Sequence, residues 1–116
     1  MPIDSATAIR QARERVNAIR VALRALDLVC SGTLLERTKT CGKPGCRCAN
    51  DPAARHGPYF EWTRRKAGKF AHRLLSPQQA QAMRRAIANY HTVQELLKDW
   101  ETESERLIDA QFPRKS

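Results

Sequence analysis

Cys41-Gly42-Lys43-Pro44-Gly45-Cys46-Arg47-Cys48, followed by His56-Gly57-Pro58-Tyr59, is the stretch that organises this sequence. The spacing C-x4-C-x-C-x7-H gathers three thiols and an imidazole within one short loop. Zinc takes four tetrahedral ligands, chiefly thiolate and imidazole. Gly42 and Gly45 let the backbone curl around an ion, and Pro44 stiffens the turn. Lys43, Arg47 and Arg55 stand close enough in sequence to favour thiolates over thiols. The expectation is a zinc knuckle in which Cys41, Cys46, Cys48 and His56 hold a structural Zn2+ ion. Two alternatives stay open for the fourth ligand. Cys30 would serve if the first helix ended over the knuckle, and His72 if it turned out of the sheet. A metal-free tight loop of buried or reactive thiols is the competing reading, and another metal or cluster a third.

Around the knuckle the sequence is of β type. Gly32 to Thr40 reads as one strand. Tyr59 to Arg64 and Lys69 to Leu74 read as a hairpin, with Arg65-Lys66-Ala67-Gly68 as its turn. Alternation predicts Phe60, Trp62, Phe70, His72 and Leu74 facing the core. Tyr59, Glu61, Thr63, Lys69, Ala71 and Arg73 are then expected to face outward.

Both flanks are helical in pattern. After Asp4-Ser5, a candidate N-cap, apolar residues fall at Ile9, Ala12, Val16, Ile19, Leu23, Leu26 and Cys30. Steps of three and four make a coiled-coil-like seam, and Ser31-Gly32 is the expected stop. Ser76-Pro77-Gln78-Gln79 is a second start signal. A stripe follows through Met83, Ala86, Ile87, Tyr90, Val93, Leu97, Trp100 and Leu107, uninterrupted by Gly or Pro until Pro113. About 30 helical residues would span roughly 45 Å. A helix of that length calls for the first helix, another subunit, or both to cover it. The predicted fold class is therefore α+β: an N-terminal helix (1–31), a small three-stranded antiparallel sheet with the zinc knuckle (32–75) and a long C-terminal helix (76–112). At 116 residues this is one domain's worth of chain.

Gly32-Thr33-Leu34, the C-G-K-P-x-C-x-C run from Cys41 to Cys48, His56-Gly57-Pro58-Tyr59, Gly68-Lys69 and Asn89-Tyr90 form a combined pattern. From Gly32 to about Leu97 the chain resembles an uncharacterised family of small bacterial and archaeal proteins. The resemblance implies that the Cys/His positions act as one group. Such proteins are encoded near transposases and other mobile elements, which implies a setting close to DNA.

Charge points the same way. The chain carries 21 Lys and Arg against 12 Asp and Glu, a formal +9. Residues 32–75 hold ten basic and three acidic groups, a net +7, while residues 76–116 are neutral. So one-sided a field makes a polyanion the first partner to consider. Arg64, Arg65, Lys66, Lys69 and Arg73 crowd the hairpin, with Lys43 and Arg47 in the knuckle, and these seven are the candidate nucleic-acid contacts. A two-stranded ribbon fits the major groove, where Arg reads guanine and Lys holds phosphate. Duplex DNA is favoured over RNA because the main aromatics are expected inside. The alternative function is an oligomeric protein–protein adaptor with a purely structural zinc site. Either way the helical seams, basic on the first helix and acidic late in the last, predict a homo-oligomer.

Other classes find little support. No carboxylate pair, phosphate loop or dinucleotide fingerprint is present, so no catalytic residue is expected and the chain is read as a non-enzyme. No export signal or apolar run of membrane-spanning length is visible. The expected location is the cytoplasm, where cysteines serve as free thiols or metal ligands.

Overall fold

The computed structural model describes residues 5–114. Helix α1 spans Ser5–Arg24 and strand β1 Thr33–Lys39. Two short 3-10 turns, Arg47–Ala49 and Pro52–Ala54, precede β2 (His56–Lys66) and β3 (Lys69–Leu75). Helix α2 then runs over Pro77–Gln111. This is the α+β order predicted from the sequence. The candidate N-cap position Asp4 lies outside the described residues. The chain's described residues fall into two compact units, one within 30–87 and one within 1–29 together with 88–116.

In the first unit the strands form one antiparallel sheet in the order β1-β2-β3. Phe60, Trp62, Leu75, Ala80, Met83 and Ala86 make the core, with Cys30, Leu34 and Ile87 packed against it. Burying an aromatic side chain such as Phe60 contributes about 1.5–3 kcal/mol. The start of α2 is set locally. Gln79 N–H donates to Ser76 Oγ at 3.1 Å, and Ser76 N–H donates to Gln79 Oε1 at 3.0 Å. This reciprocal pair satisfies two backbone donors around the helix start and launches α2 against the sheet.

The hairpin corrects the predicted strand faces. Its turn is only Ala67-Gly68, both with positive φ (52° and 79°), the two-residue geometry that matches strand twist. Lys66 therefore stands opposite Lys69, Arg64 opposite Ala71, Trp62 opposite Arg73 and Phe60 opposite Leu75. Directly paired residues share a face, so even positions of β2 share a side with odd positions of β3. Leu75, not Leu74, enters the core. Phe70 and Leu74 are 65% and 60% exposed on the far face, with His72 beside Thr63. Lys69 and Arg73 lie on Trp62's side, opposite to the sequence expectation.

In the second unit α1 and α2 run antiparallel. Arg15 reaches Glu103, and Asn89 donates through Nδ2 to the Leu28 carbonyl at 2.8 Å. Every position of the predicted α1 seam within this unit is buried or half-buried. Two expectations fail. Helix α1 stops at Arg24 rather than at Ser31-Gly32. Ala25 and Leu26 tighten the last turn by bonding the carbonyls of Ala22 and Leu23 at 3.2 Å. Beyond them, Leu28 N–H donates to the Asp27 carboxylate at 2.8 Å and its carbonyl is taken by Asn89. In the sheet unit, Cys30 N–H donates to the Ala86 carbonyl at 3.1 Å, and Trp62 Nε1–H to the Ser31 carbonyl at 3.0 Å. Backbone groups that a longer helix would consume are satisfied by α2 and Trp62 instead. On α2 the stripe passes through Leu96, while Leu97 is 52% exposed, and Glu103 occupies a buried place. Among the described residues no helix is long and apolar enough to cross a membrane.

Candidate metal centre

The ends of two paired strands build the site. Lys39 of β1 stands opposite His56 of β2, so the sheet sets Cys41, just past β1, beside His56. Between Arg37 and Lys39 the register slips. The two residues Gly57-Pro58, joined by a cis peptide, oppose Thr38 alone. A bulge of this kind bends a strand and re-aims its side chains. Gly57 has φ of 128°, and a Cβ there would lie 2.9 Å from the Arg37 carbonyl oxygen and 3.0 Å from Tyr59 N. Only glycine fits that approach of backbone to backbone.

Within the loop, Cys46 N–H donates to the Lys43 carbonyl at 3.3 Å. Pro44 and Gly45 (φ 79°) fill the middle of that turn, the pattern of a type II turn. Its closure carries the chain from Cys41 back to Cys46. The 3-10 turn that follows places Cys48 inward. A second turn is capped by Asp51, whose side chain accepts from Ala53 N–H at 3.0 Å, and it returns the chain to His56.

The result is a cluster of Cys41, Cys46, Cys48 and His56 whose donor atoms all lie within 4.8 Å of one another. Cys41 Sγ is 3.5 Å from Cys48 Sγ, and Cys46 Sγ is 3.4 Å from His56 Nε2. Thiolates about 2.3 Å from a tetrahedral zinc sit about 3.8 Å apart. The observed spacings are close to those edges, so the donor set fits a four-coordinate metal and can hold one. Cys48 is buried, Cys46 is partly covered, and Cys41 and His56 are exposed.

The thiols differ in acidity. The backbone N–H of Cys48 and then the neighbouring thiols of Cys48 and Cys41 hold Cys46 below the usual thiol range. For Cys48 the backbone N–H of Cys41, which donates to its Sγ at 3.3 Å, pulls the value down. Burial and the adjacent sulfurs outweigh that pull, and the net shift is upward. Metal binding supplies the positive charge that lets such a crowded set ionise together.

The other candidate ligands lie elsewhere. Cys30 packs against the apolar core. His72 Nδ1 is 3.0 Å from Thr63 Oγ1 and 3.2 Å from a Glu61 carboxylate oxygen. Arg47 pairs with Asp51 at 3.6 Å, and Lys43 is exposed.

The structure sorts the hairpin cations by face. Arg64, Lys66, Lys69 and Arg73 lie on Trp62's side, and Arg65 lies with Phe70 on the other. The Arg64 guanidinium lies 4.2 Å from the Trp62 ring centre, Arg73 5.5 Å from the same ring, and Arg65 5.1 Å from Phe70. Arg37 and Arg84, by contrast, are paired with Glu61 and Glu36. Sequence reasoning placed Tyr59 outward but missed that Phe70 stands exposed on the same side of the sheet. Pairing the strands across the turn, instead of continuing one alternation through it, would have revealed it.

The sequence family described as "Domain of unknown function (DUF6788)" matches residues 7–85. No curated protein and no solved structure matches the chain.

Proposed function

We propose that this chain, which belongs to the DUF6788 family, is a small zinc-stapled protein that binds duplex DNA through its basic β-hairpin. One observation carries the reading. Among the described residues, none of Arg64, Arg65, Lys66, Lys69 and Arg73 forms an ion pair, and four of the five share one face of a two-stranded ribbon. Uncompensated cations on a ribbon face suit a groove lined by phosphates. Stacking of Arg64 and Arg73 on Trp62 holds two guanidiniums over the core's edge, each contact contributing about 0.5–1 kcal/mol.

The metal is read as zinc, because three thiolates and one imidazole form its usual structural set. All four positions are protein ligands, so its part is to tie the loop to the sheet, and the chain is read as a non-enzyme. The mobile-element setting implied by the sequence resemblance supports DNA over an acidic protein as the partner.

The test is fluorescence anisotropy of a labelled random duplex across a salt series. Affinity should fall steeply with salt, and changing Arg64, Arg65 and Lys66 together to Ala should reduce the log–log slope by about 2–3. Absence of binding at about 50 mM salt, below the physiological range, would overturn the reading in favour of a protein adaptor. Binding that survives the triple change would move the contact off the hairpin. Exposed Tyr59 and Phe70 favour a second reading on the far face, since bases of single strands stack on such rings. Competition between duplex and single-stranded DNA separates the two.

A further inference from the structure

The helical unit has two outer surfaces that match each other. On α2, Leu97 and Ile108 are 52% and 58% exposed and, with half-buried Trp100, line an open groove edged by Glu101 and Glu105. On α1, a second groove is formed around Ile9, Arg10 and Arg13, where two cations outnumber the one acid, Glu14. The same α1 face continues, at helical spacing, to Val21, which is 53% exposed.

The antiparallel pairing gives these residues a common scale. Arg15 meets Glu103, and Leu28 meets Asn89. On that scale Arg13 stands level with Glu105, and Val21 with Leu97. Yet among the described residues Arg10 and Arg13 make no ion pair with Glu101 or Glu105. The complementary charges flank separate grooves and are not used within the chain.

We propose that the occupant of these grooves is a second copy of this chain. In a symmetric pair with its two-fold axis along the helices, the α1 face of each copy covers the α2 face of the other. Because the copies lie side by side at the same height, Arg13 meets Glu105 of the second copy, and Val21 meets Leu97 of the second copy. Both contacts occur twice, as isologous symmetry requires. Each helix then has an antiparallel neighbour on two sides, the arrangement of a four-helix bundle. The inference rests on the helical unit alone and stands or falls independently of the nucleic-acid reading.

Two charge-reversed chains test it. One carries Arg10→Glu and Arg13→Glu, the other Glu101→Arg and Glu105→Arg. All four side chains are exposed, and circular dichroism verifies that helix content is unchanged. In sedimentation at low salt the unaltered chain should run at twice the chain mass. Each altered chain alone sets like charges against each other and should associate at least about tenfold more weakly. Mixing the two should restore the paired mass, because every reversed face then meets its complement. A contact within one chain cannot be rescued by mixing. A monomeric unaltered chain, full association of either altered chain alone, or a mixture that stays monomeric would each overturn the proposal.

Discussion

Arg106 Nη1 approaches Glu103 Oε1 to 2.6 Å, and Arg15 from the facing helix shares the same oxygen at 3.4 Å. The carboxylate is buried and its other oxygen, Oε2, has no hydrogen-bond partner among the described residues. Both arginines remain more than half exposed. A buried acid with half its acceptor capacity unused gains little over an apolar residue. Glu103→Leu should therefore stabilise the protein, by about 1 kcal/mol. Changing Arg15 and Arg106 together to Ala strands the acid and should destabilise by about 3 kcal/mol. Urea unfolding of the three proteins measures both signs.

Metal removal should loosen the sheet end first. A bound metal would tie residues 41–56 at four points; without it the loop keeps its turn hydrogen bonds, the weak contacts of its thiols and the exposed Arg47–Asp51 pair. Amide exchange in that loop should rise sharply on chelation, while the core of Phe60, Trp62 and Met83 stays protected. Equal protection with and without metal would remove the staple role.

The pH dependence of metal affinity follows from the thiols. Cys48 is shifted upward and Cys46 downward. Near neutral pH Cys48 enters the site as a thiol, so binding expels its proton. Affinity should weaken as pH falls, about tenfold per unit from this proton alone. Competition against a chromophoric chelator from pH 8 to 6 gives the slope, and a flat profile would contradict the assignment.

Gly57→Ala should be costly. Its Cβ meets two backbone atoms within 3.0 Å, at a φ that side chains rarely adopt. A loss of about 2–3 kcal/mol is expected. Because Gly57 adjoins His56, zinc affinity should fall as well. Thermal melts with and without zinc separate the two effects.

Ala67→Gly should act in the opposite direction. Ala67 holds φ at 52° in the hairpin turn, where L side chains carry a penalty. Relief of about 1 kcal/mol is expected. The turn is exposed, so chemical unfolding reads the gain without a packing term.

Short-range chemistry made much of this protein legible from its sequence. Ser76 and Gln79 cap α2 because both partners lie within one turn. The spacing of Cys41, Cys46, Cys48 and His56 is itself a loop small enough to converge on an ion. The α1 seam is periodic and needs only its own helix to be read. Tertiary structure decided what depends on distant partners. The end of α1 moved to Arg24 because Asn89, Ala86 and Trp62 meet the chain after it. The side faced by Phe70, Leu74 and Arg73 followed from pairing across the hairpin, which puts even positions of β2 with odd positions of β3, whereas the expectation carried a single alternation straight across the turn. Glu103 entered the seam only because Arg15 and Arg106 reach it from two helices. A sequence displays local periodicity and capping directly, whereas faces and helix ends are settled by which backbone groups and charges the folded chain brings alongside.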